Sequence, residues 1–408
     1  MNRAEILKHQ VVILGFGREG RATFEALGRA GEAQAVTVWA ESGQIPEGPL
    51  ARCAPFDERL CDFDIAIRSP GIPVEHPALR QFKAAGGVVL NPSSIWFAEQ
   101  PDVSVIGVTG SKGKSTTTAM IHHLLGELGL PAYMAGNIGK PLISLIDETF
   151  DPQARVVAEL SSYQLADLAR QLRLGLITRL FPEHVNWHGT VHDYYAAKLR
   201  LFDLAQPNPV LVNARDPALT DETTPYQTAR PINQSRPSSN AHLHRLGDEI
   251  LLGDEMLLGL KDLNLRGSHN LDNLVMAFEA LAALGVIDSN DYADLIAPST
   301  RFCPLEHRLS PIYQQGLVTW INDSIATTPH ATVAALQSLQ PERIVLIIGG
   351  FERQADWTVV IEHLRAFPIE ALVTLPDNGP EVANLLVETG AVTSAQVHHA
   401  NNMSDAVA

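Results

Sequence analysis

Residues 103–125 read Val-Ser-Val-Ile-Gly-Val-Thr-Gly-Ser-Lys-Gly-Lys-Ser-Thr-Thr-Thr-Ala-Met-Ile-His-His-Leu-Leu. Val103 to Ile106 carry a strand-like apolar pattern, a glycine-rich turn follows, and from Ser115 the apolar spacing becomes helical. Strand, loop and helix in that order make a phosphate cradle. Gly110 and Gly113 let successive N–H groups face one anion, Lys114 adds a cation, and the Ser115 hydroxyl is a ligand for Mg²⁺. Val108 stands where the general P-loop has its first glycine, so Thr109-Gly110-Ser111-Lys112-Gly113-Lys114-Ser115-Thr116 is a compact variant.

Outward from this stretch, 408 residues exceed one ordinary core and predict two or three domains. A formal charge of −16 argues against a nucleic-acid or anionic-lipid binder. No apolar run is long enough to cross a membrane and the first residues lack a signal-peptide core, so a cytoplasmic protein without membrane insertion is expected. Cys53, Cys61 and Cys303 fit no metal pattern and are expected to be reduced, mostly buried thiols.

Toward the N-terminus, a strand at Val11–Leu14 leads into Gly15-Phe16-Gly17-Arg18-Glu19-Gly20 and a helix from Arg21 to Ala30, the spacing of a dinucleotide-binding turn. A strand from Ala35 to Trp39 leaves Glu41 as a candidate ribose acid. Strands are expected at Phe63–Ile67, before the Ser69-Pro70-Gly71 turn, and at Val88–Leu90.

Beyond the P-loop helix lie a turn at Ala135-Gly136-Asn137-Ile138-Gly139 and a strand Val156–Glu159. Glu159 is either a metal ligand beside the P-loop or a cap for the next helix. A strand Leu174–Leu180 brings His184 to the same sheet edge. Lys198, on helix statistics alone, reads as a solvated side chain. The stretch from Asp216 to Ser239 reads as loop-rich, and a hairpin is expected around Gly253-Asp254. Asn270 and Asn273 share a helical face and could bond a base or ribose. From Phe302, strands Leu317–Ile321, Ile344–Ile348 and Ala371–Leu375, each followed by helical pattern, predict another parallel layer. The chain reaches Ala408 inside a helical pattern begun near Ser404, so a further strand and helix are expected beyond it.

Together, Thr109–Thr116, Gly136-Asn137-Ile138-Gly139, Glu159-Leu160-Ser161-Ser162, His184, Lys198, His269-Asn270 with Asn273, His307-Arg308 and Asn322-Asp323-Ser324 resemble the Mur ligases, ATP-dependent amide-forming enzymes of peptidoglycan synthesis. The resemblance implies an α/β fold of three domains. These are a Rossmann-like UDP-binding domain (1–99), a central P-loop ATPase domain with a parallel sheet (100–302), and a C-terminal Rossmann-like glutamate-binding domain (303–408), incomplete as it stands. It implies glutamate addition to UDP-N-acetylmuramoyl-L-alanine through an acyl phosphate, by a monomer using ATP and two Mg²⁺. Lys114, His184 and Lys198 would be catalytic. Ser115, Glu159, His184 and a carbamylated Lys198 would hold metal, and Asn270, Asn273, Arg308 and Asp323 would join the P-loop residues around the nucleotide. Substrate roles fall on Gly15, Phe16, Gly17, Arg18, Ser69, Pro70, Gly71, Asn137, Ser161, Gln164, Thr327, Thr328 and Arg353.

Two departures concern the acceptor. Ile325 stands where D-glutamate enzymes of this family carry lysine, and their Gly-Gly-Asp-Gly-Lys turn is Gly349-Gly350-Phe351-Glu352-Arg353 here. Asp323–Pro329, Phe181–His184, Trp187-His188-Gly189 and Phe16–Arg21 look more like the less common branch that adds L-glutamate. D-glutamate addition is the alternative. A ligase of the folylpolyglutamate synthase type matches only from the P-loop onward, leaving the first domain without a role.

Overall fold

Strand β1 (Val11–Leu14) is four apolar residues buried on both faces, as a central strand of a parallel sheet requires. In the computed structural model, which describes residues 1–29, 36–43, 45–47, 50–234, 243–288, 292–339, 342–350 and 355–407, it is flanked by β2 (Val36–Ala40) and β4 (Ile65–Arg68). With β3 (Ala51–Cys53) and β5 (Val88–Leu90) it forms a five-stranded parallel sheet in the order β3-β2-β1-β4-β5. The order reverses between β1 and β4. The turns after these two strands, 15–20 and 69–72, therefore flank the crevice where open sheets take ligands.

The second sheet is parallel throughout, in the order β11-β10-β9-β6-β8-β7. Its strands are β6 (Ser104–Thr109), β7 (Ala132–Gly136), β8 (Arg155–Glu159), β9 (Leu174–Ile177), β10 (Val210–Asn213) and β11 (Ala229–Ile232). The chain leaves β6 toward one side and returns to β9 on the other, so the P-loop follows the strand at the reversal. Glu159 is in register with Val108 and Gly136, which sets the ends of three strands side by side. One continuous hydrophobic cluster runs from Val11 and Ile13 of the first sheet to Val105, Val156 and Val210 of the second. Residues Met1–Asp262 and His269–Phe302 form one compact unit.

Leu263–Ser268 and Cys303–Ala408 form the other unit. Its parallel sheet comprises three strands, Val345–Gly350, Ala371–Asp377 and Val397–His399, over its own apolar cluster.

Several expectations need correction. The first helix begins at Arg18 rather than Arg21, with Gly17 as its N-cap. The stretch from Asp216 to Ser239 contains a helix, Pro217–Thr223, and strand β11, whose Pro231 is tolerated because β11 is an edge. The predicted strand at Leu317–Ile321 is Val318–Asn322, and it pairs antiparallel with Ser310–Gln315 instead of joining a parallel layer. The lack of apolar alternation in Ser310–Gln315, where Ile312 and Tyr313 are adjacent, concealed that partner. All three cysteines are free and exposed, not buried. The hairpin around Gly253-Asp254 is present, between Glu249–Leu252 and Glu255–Gly259. No helix among the described residues is long and apolar enough to cross a membrane.

Candidate functional site

The P-loop is bent by two glycines that nothing larger could replace. Gly110 and Gly113 have φ of 142° and 88°. A Cβ on Gly110 would lie 2.1 Å from Thr178 Oγ1, and one on Gly113 would lie 2.5 Å from Asn273 Oδ1. Helix Lys114–Glu127 starts directly after Gly113, so its positive end meets the loop. Lys114 Nζ donates to the Ser111 carbonyl at 2.9 Å. Lys112 pairs with Glu183 at 3.2 Å. Ser111 Oγ donates to the Phe181 carbonyl at 2.8 Å and lies 2.9 Å from Tyr194 Oη, while the Thr109 hydroxyl donates to Leu160 O at 2.7 Å. Ser115 is buried and Thr116 half-buried in the first turn of the helix.

Lys198 contradicts the solvated reading. Helix Val191–Ala205 turns it inward, 2 % exposed, where Nζ donates to Gly110 O at 2.7 Å and lies 4.8 Å from the Tyr194 ring. Burial, reinforced by the neighbouring Lys114 cation, drives its pKa far below the usual lysine value. Glu159 is 1 % exposed at the end of β8. Asn137 Nδ2 donates to its Oε1 at 2.8 Å, whereas the buried Oε2 has no partner. It is not a helix cap, because Ser161 caps helix Ser162–Leu165 in a reciprocal box with Gln164. A buried carboxylate oxygen left unpartnered is costly in a folded protein, so it marks a place for a cation or donor.

His184 adopts a left-handed backbone, φ 54° and ψ 29°, uncommon for a residue other than glycine. Its ring lies 5.1 Å from Tyr163 and 6.1 Å from Tyr194. Desolvation by these neighbours lowers its pKa, with Glu183 opposing and Lys198, Lys114 and Lys112 assisting. His188, whose Nε2 is 2.9 Å from Ser162 Oγ, is driven down to about 4 chiefly by burial. Among the described residues no three His, Cys, Asp or Glu side chains gather where they could hold a metal.

Asn270 and Asn273 are buried at the start of helix His269–Ala283, and Asn273 Nδ2 donates to Asn270 Oδ1 at 3.1 Å. The next acid, Asp272, was missed by sequence reading. It is 1 % exposed and takes hydrogen bonds from Arg179, Arg245 and Asn233 at 2.8 to 2.9 Å, with Arg215 at 3.4 Å.

At the first sheet, the predicted substrate residues make protein contacts. Arg18 donates to the carbonyls of Gly136, Asn137 and Gly139 at 3.1, 2.6 and 3.2 Å, tying the first turn to the Asn137 turn. Phe16 packs edge-on against Phe24 and under Arg21. Gly15 (φ 80°) lies beneath Ser69, whose Oγ donates to its carbonyl at 3.1 Å. Gly17 and Gly71 have open space where a Cβ would stand. Gln164 bonds Ser161 through Oε1 and donates from Nε2 to Glu19 Oε1 at 2.5 Å. Burial raises the Glu19 pKa to about 7. Glu41, the candidate ribose acid, accepts the Phe56 N–H at 3.2 Å.

Within the second unit, His307 and Leu309 have positive φ of 64° and 46°. Asn322 Nδ2 lies 2.9 Å from His307 Nδ1, and Asp323 Oδ1 accepts the Leu309 N–H at 3.0 Å, which brings the His307-Arg308 and Asn322-Asp323-Ser324 stretches together. Thr328 caps helix Pro329–Ser338, and Thr327 is exposed beside it. Arg353, with the rest of its turn from Phe351, lies outside the described residues.

Comparison with known proteins gives a consistent result. Residues 108–281 match the Mur ligase middle domain and 307–408 match the Mur ligase glutamate ligase domain. A UDP-N-acetylmuramoyl-L-alanine--L-glutamate ligase of Xanthomonas euvesicatoria is 36% identical over 413 residues, covering 97% of this chain and 86% of that protein. One of the same name from Micromonospora is 37% identical over 402 residues, covering 95% and 85%. Among solved structures, the UDP-N-acetylmuramate-alanine ligase of Thermotoga maritima aligns with a TM-score of 0.59 at 17% identity, over 97% of this chain and 91% of that one. MurF of Acinetobacter baumannii aligns at 0.60 and 18%, over 97% and 82%. At these identities the structural likeness concerns the fold.

Proposed function

The chain belongs to the Mur ligase family of ATP-dependent ligases, and from that premise we propose that it joins L-glutamate to UDP-N-acetylmuramoyl-L-alanine in peptidoglycan synthesis. The observation that carries the reading is the convergence of Lys114, Lys198, His184 and the unpartnered Glu159 oxygen around a P-loop whose glycines admit no side chain. Relatives 36 and 37% identical to this chain over the aligned residues are named for the L-isomer, and Ile325 removes the lysine expected of D-glutamate enzymes.

In the proposed reaction, a carboxylate oxygen of the terminal alanine attacks the γ-phosphorus of ATP and ADP departs. The glutamate amine then attacks the acyl carbon, inorganic phosphate leaves with the C–O bonding pair, and the amine gives up a proton as the amide forms. Lys114 and the loop N–H groups bind and orient the phosphates, and the positive end of helix Lys114–Glu127 stabilises charge as it develops. Ser115, Glu159 and His184 offer the oxygen and imidazole donors that Mg²⁺ accepts, and the Oε2 atom of Glu159 fits such an ion. Bound Mg²⁺ supplies charge neutralisation at the transferring phosphoryl group. Burial favours a neutral Lys198 amine, the form that adds carbon dioxide and loses a proton to become a carbamate, which would complete the oxygen donors. The division at residues 99 and 302, and nucleotide or acceptor roles for Asn270, Asn273, Arg308, Asp323, Thr327 and Thr328, belong to the same proposal.

The test is phosphate release from ATP with Mg²⁺ and UDP-N-acetylmuramoyl-L-alanine, run in parallel with L- and D-glutamate. Release with the L-isomer alone is expected. Release with D-glutamate alone overturns the stereochemical assignment, and silence with both overturns the ligase reading.

A further inference from the structure

The turn after β4 exposes four successive carbonyls, and all four are held. Arg68, fully buried at the strand end, donates from Nη1 to the carbonyls of Ser69, Pro70 and Ile72 at 3.3, 3.2 and 2.5 Å. The fourth, Gly71 O, accepts from the Trp187 indole Nε1 at 3.1 Å. Trp187 is not part of the first sheet. It sits in the short helix Val185–His188, directly after the left-handed His184, on the loop leaving β9. Its ring is fixed by Tyr163 and His188, each 4.5 Å between centroids, and lies 5.9 Å from the Arg68 guanidinium. Arg68 is itself fixed by Asp167 at 2.8 Å and by the Tyr163 carbonyl at 3.2 Å. One end of this helix therefore stands among the P-loop cations that face His184, and three residues later it grips the 69–72 turn.

We propose that Trp187 is a positioning residue: its indole N–H sets the 69–72 turn against the P-loop, and so sets where a UDP-linked substrate presents its carboxylate to the phosphate. The inference rests on the ligase reading for its kinetic consequence. A pure packing role would need only the ring. The N–H on a backbone carbonyl adds direction, because it fixes the turn along one axis while leaving the outer side of Gly71, where a Cβ would meet nothing, open.

The test compares W187F, which keeps an aromatic ring and loses the N–H, with W187A, which loses both. One hydrogen bond is worth about 1 kcal/mol, or about fivefold. In W187F, the KM for UDP-N-acetylmuramoyl-L-alanine is expected to rise about fivefold, while kcat and the KM for ATP stay within twofold. Hydrogen exchange at the Ser69 and Ile72 amides is expected to quicken by a similar factor. W187A is expected to exceed W187F in both. An unchanged KM with unchanged exchange overturns the proposal, as does an equal rise in both KM values. Exchange needs no turnover, so failure of the ligase reading, seen as a silent wild type, remains distinguishable from failure of this one.

Discussion

Two glycine turns follow the two central strands, Gly15–Gly20 after β1 and Gly110–Lys114 after β6, and they are built for different purposes. Each curls at the carboxyl end of a parallel strand and opens a helix. In the first, the helix begins Arg18-Glu19, and both side chains are spent on the protein: Arg18 on three carbonyls of the 136–139 turn and Glu19 on Gln164. In the second, the helix begins Lys114-Ser115, with Lys114 as its cation and Lys112 beside it, paired with Glu183. Glycine spacing reports a backbone that must turn tightly. The side chains between the glycines decide whether an anion or a neighbouring chain segment is held there.

The comparison is sharpened most by removing the cation from the second turn. Lys114→Met is expected to lower substrate-dependent phosphate release by about 10³-fold, the scale of losing a charge-stabilising donor in a transition state. The thermal midpoint should stay close to that of the wild type, since methionine keeps the length of the lysine side chain and Lys114 is only half-buried. A comparable fall in stability would mean that the second turn, like the first, is a structural joint. Next in size is Arg68→Ala at the first sheet. It strips the Ser69, Pro70 and Ile72 carbonyls of their shared donor, Arg68 Nη1, and among the described residues leaves Asp167 with Asn91 at 2.8 Å. Breaking a buried pair from one side costs about 4 kcal/mol. Asp167 is 22% exposed, so water offsets some of this. Urea unfolding measures the loss; a midpoint equal to wild type would show that Arg68 is dispensable to the joint.

What the sequence disclosed follows the same division. The P-loop was legible because its glycines, lysines and serine are contiguous, and their chemistry needs no distant partner to be recognised. Lys198 was legible only through family resemblance: helical periodicity leaves it looking solvated, and it is buried because its amine reaches Gly110, 88 residues earlier. Asp167 and Trp187 act across 99 and 116 residues, distances over which no local pattern speaks. Asp272 resembles an ordinary first-turn acid until Arg179 and Arg215, each two residues past a strand end, and Arg245, within the strand Leu243–Leu246, converge on it. The antiparallel hairpin of the second unit was missed because Ser310–Gln315 starts Ser-Pro and sets its two large apolar residues, Ile312 and Tyr313, side by side and exposed, lacking the apolar alternation that marks a half-buried strand.

The smallest expected effect probes the acid of the first turn through pH. Burial raises the Glu19 pKa from an ordinary 4.5 to about 7, so the folded state holds this proton more tightly than the unfolded state does. Stability from this group is thus fully present below pH 4.5. It is lost as pH rises toward 7, by up to about 3 kcal/mol once both states are ionised. Glu19→Gln keeps a carbonyl oxygen for Gln164 Nε2 but cannot ionise. Its stability relative to wild type should therefore climb between pH 4.5 and 7 and level off above, read from urea midpoints across that range. A flat difference would mean that Arg18 and Arg68, the cations facing this carboxyl, hold it ionised in the folded protein; the first turn would then carry a true negative charge where the second carries a positive one.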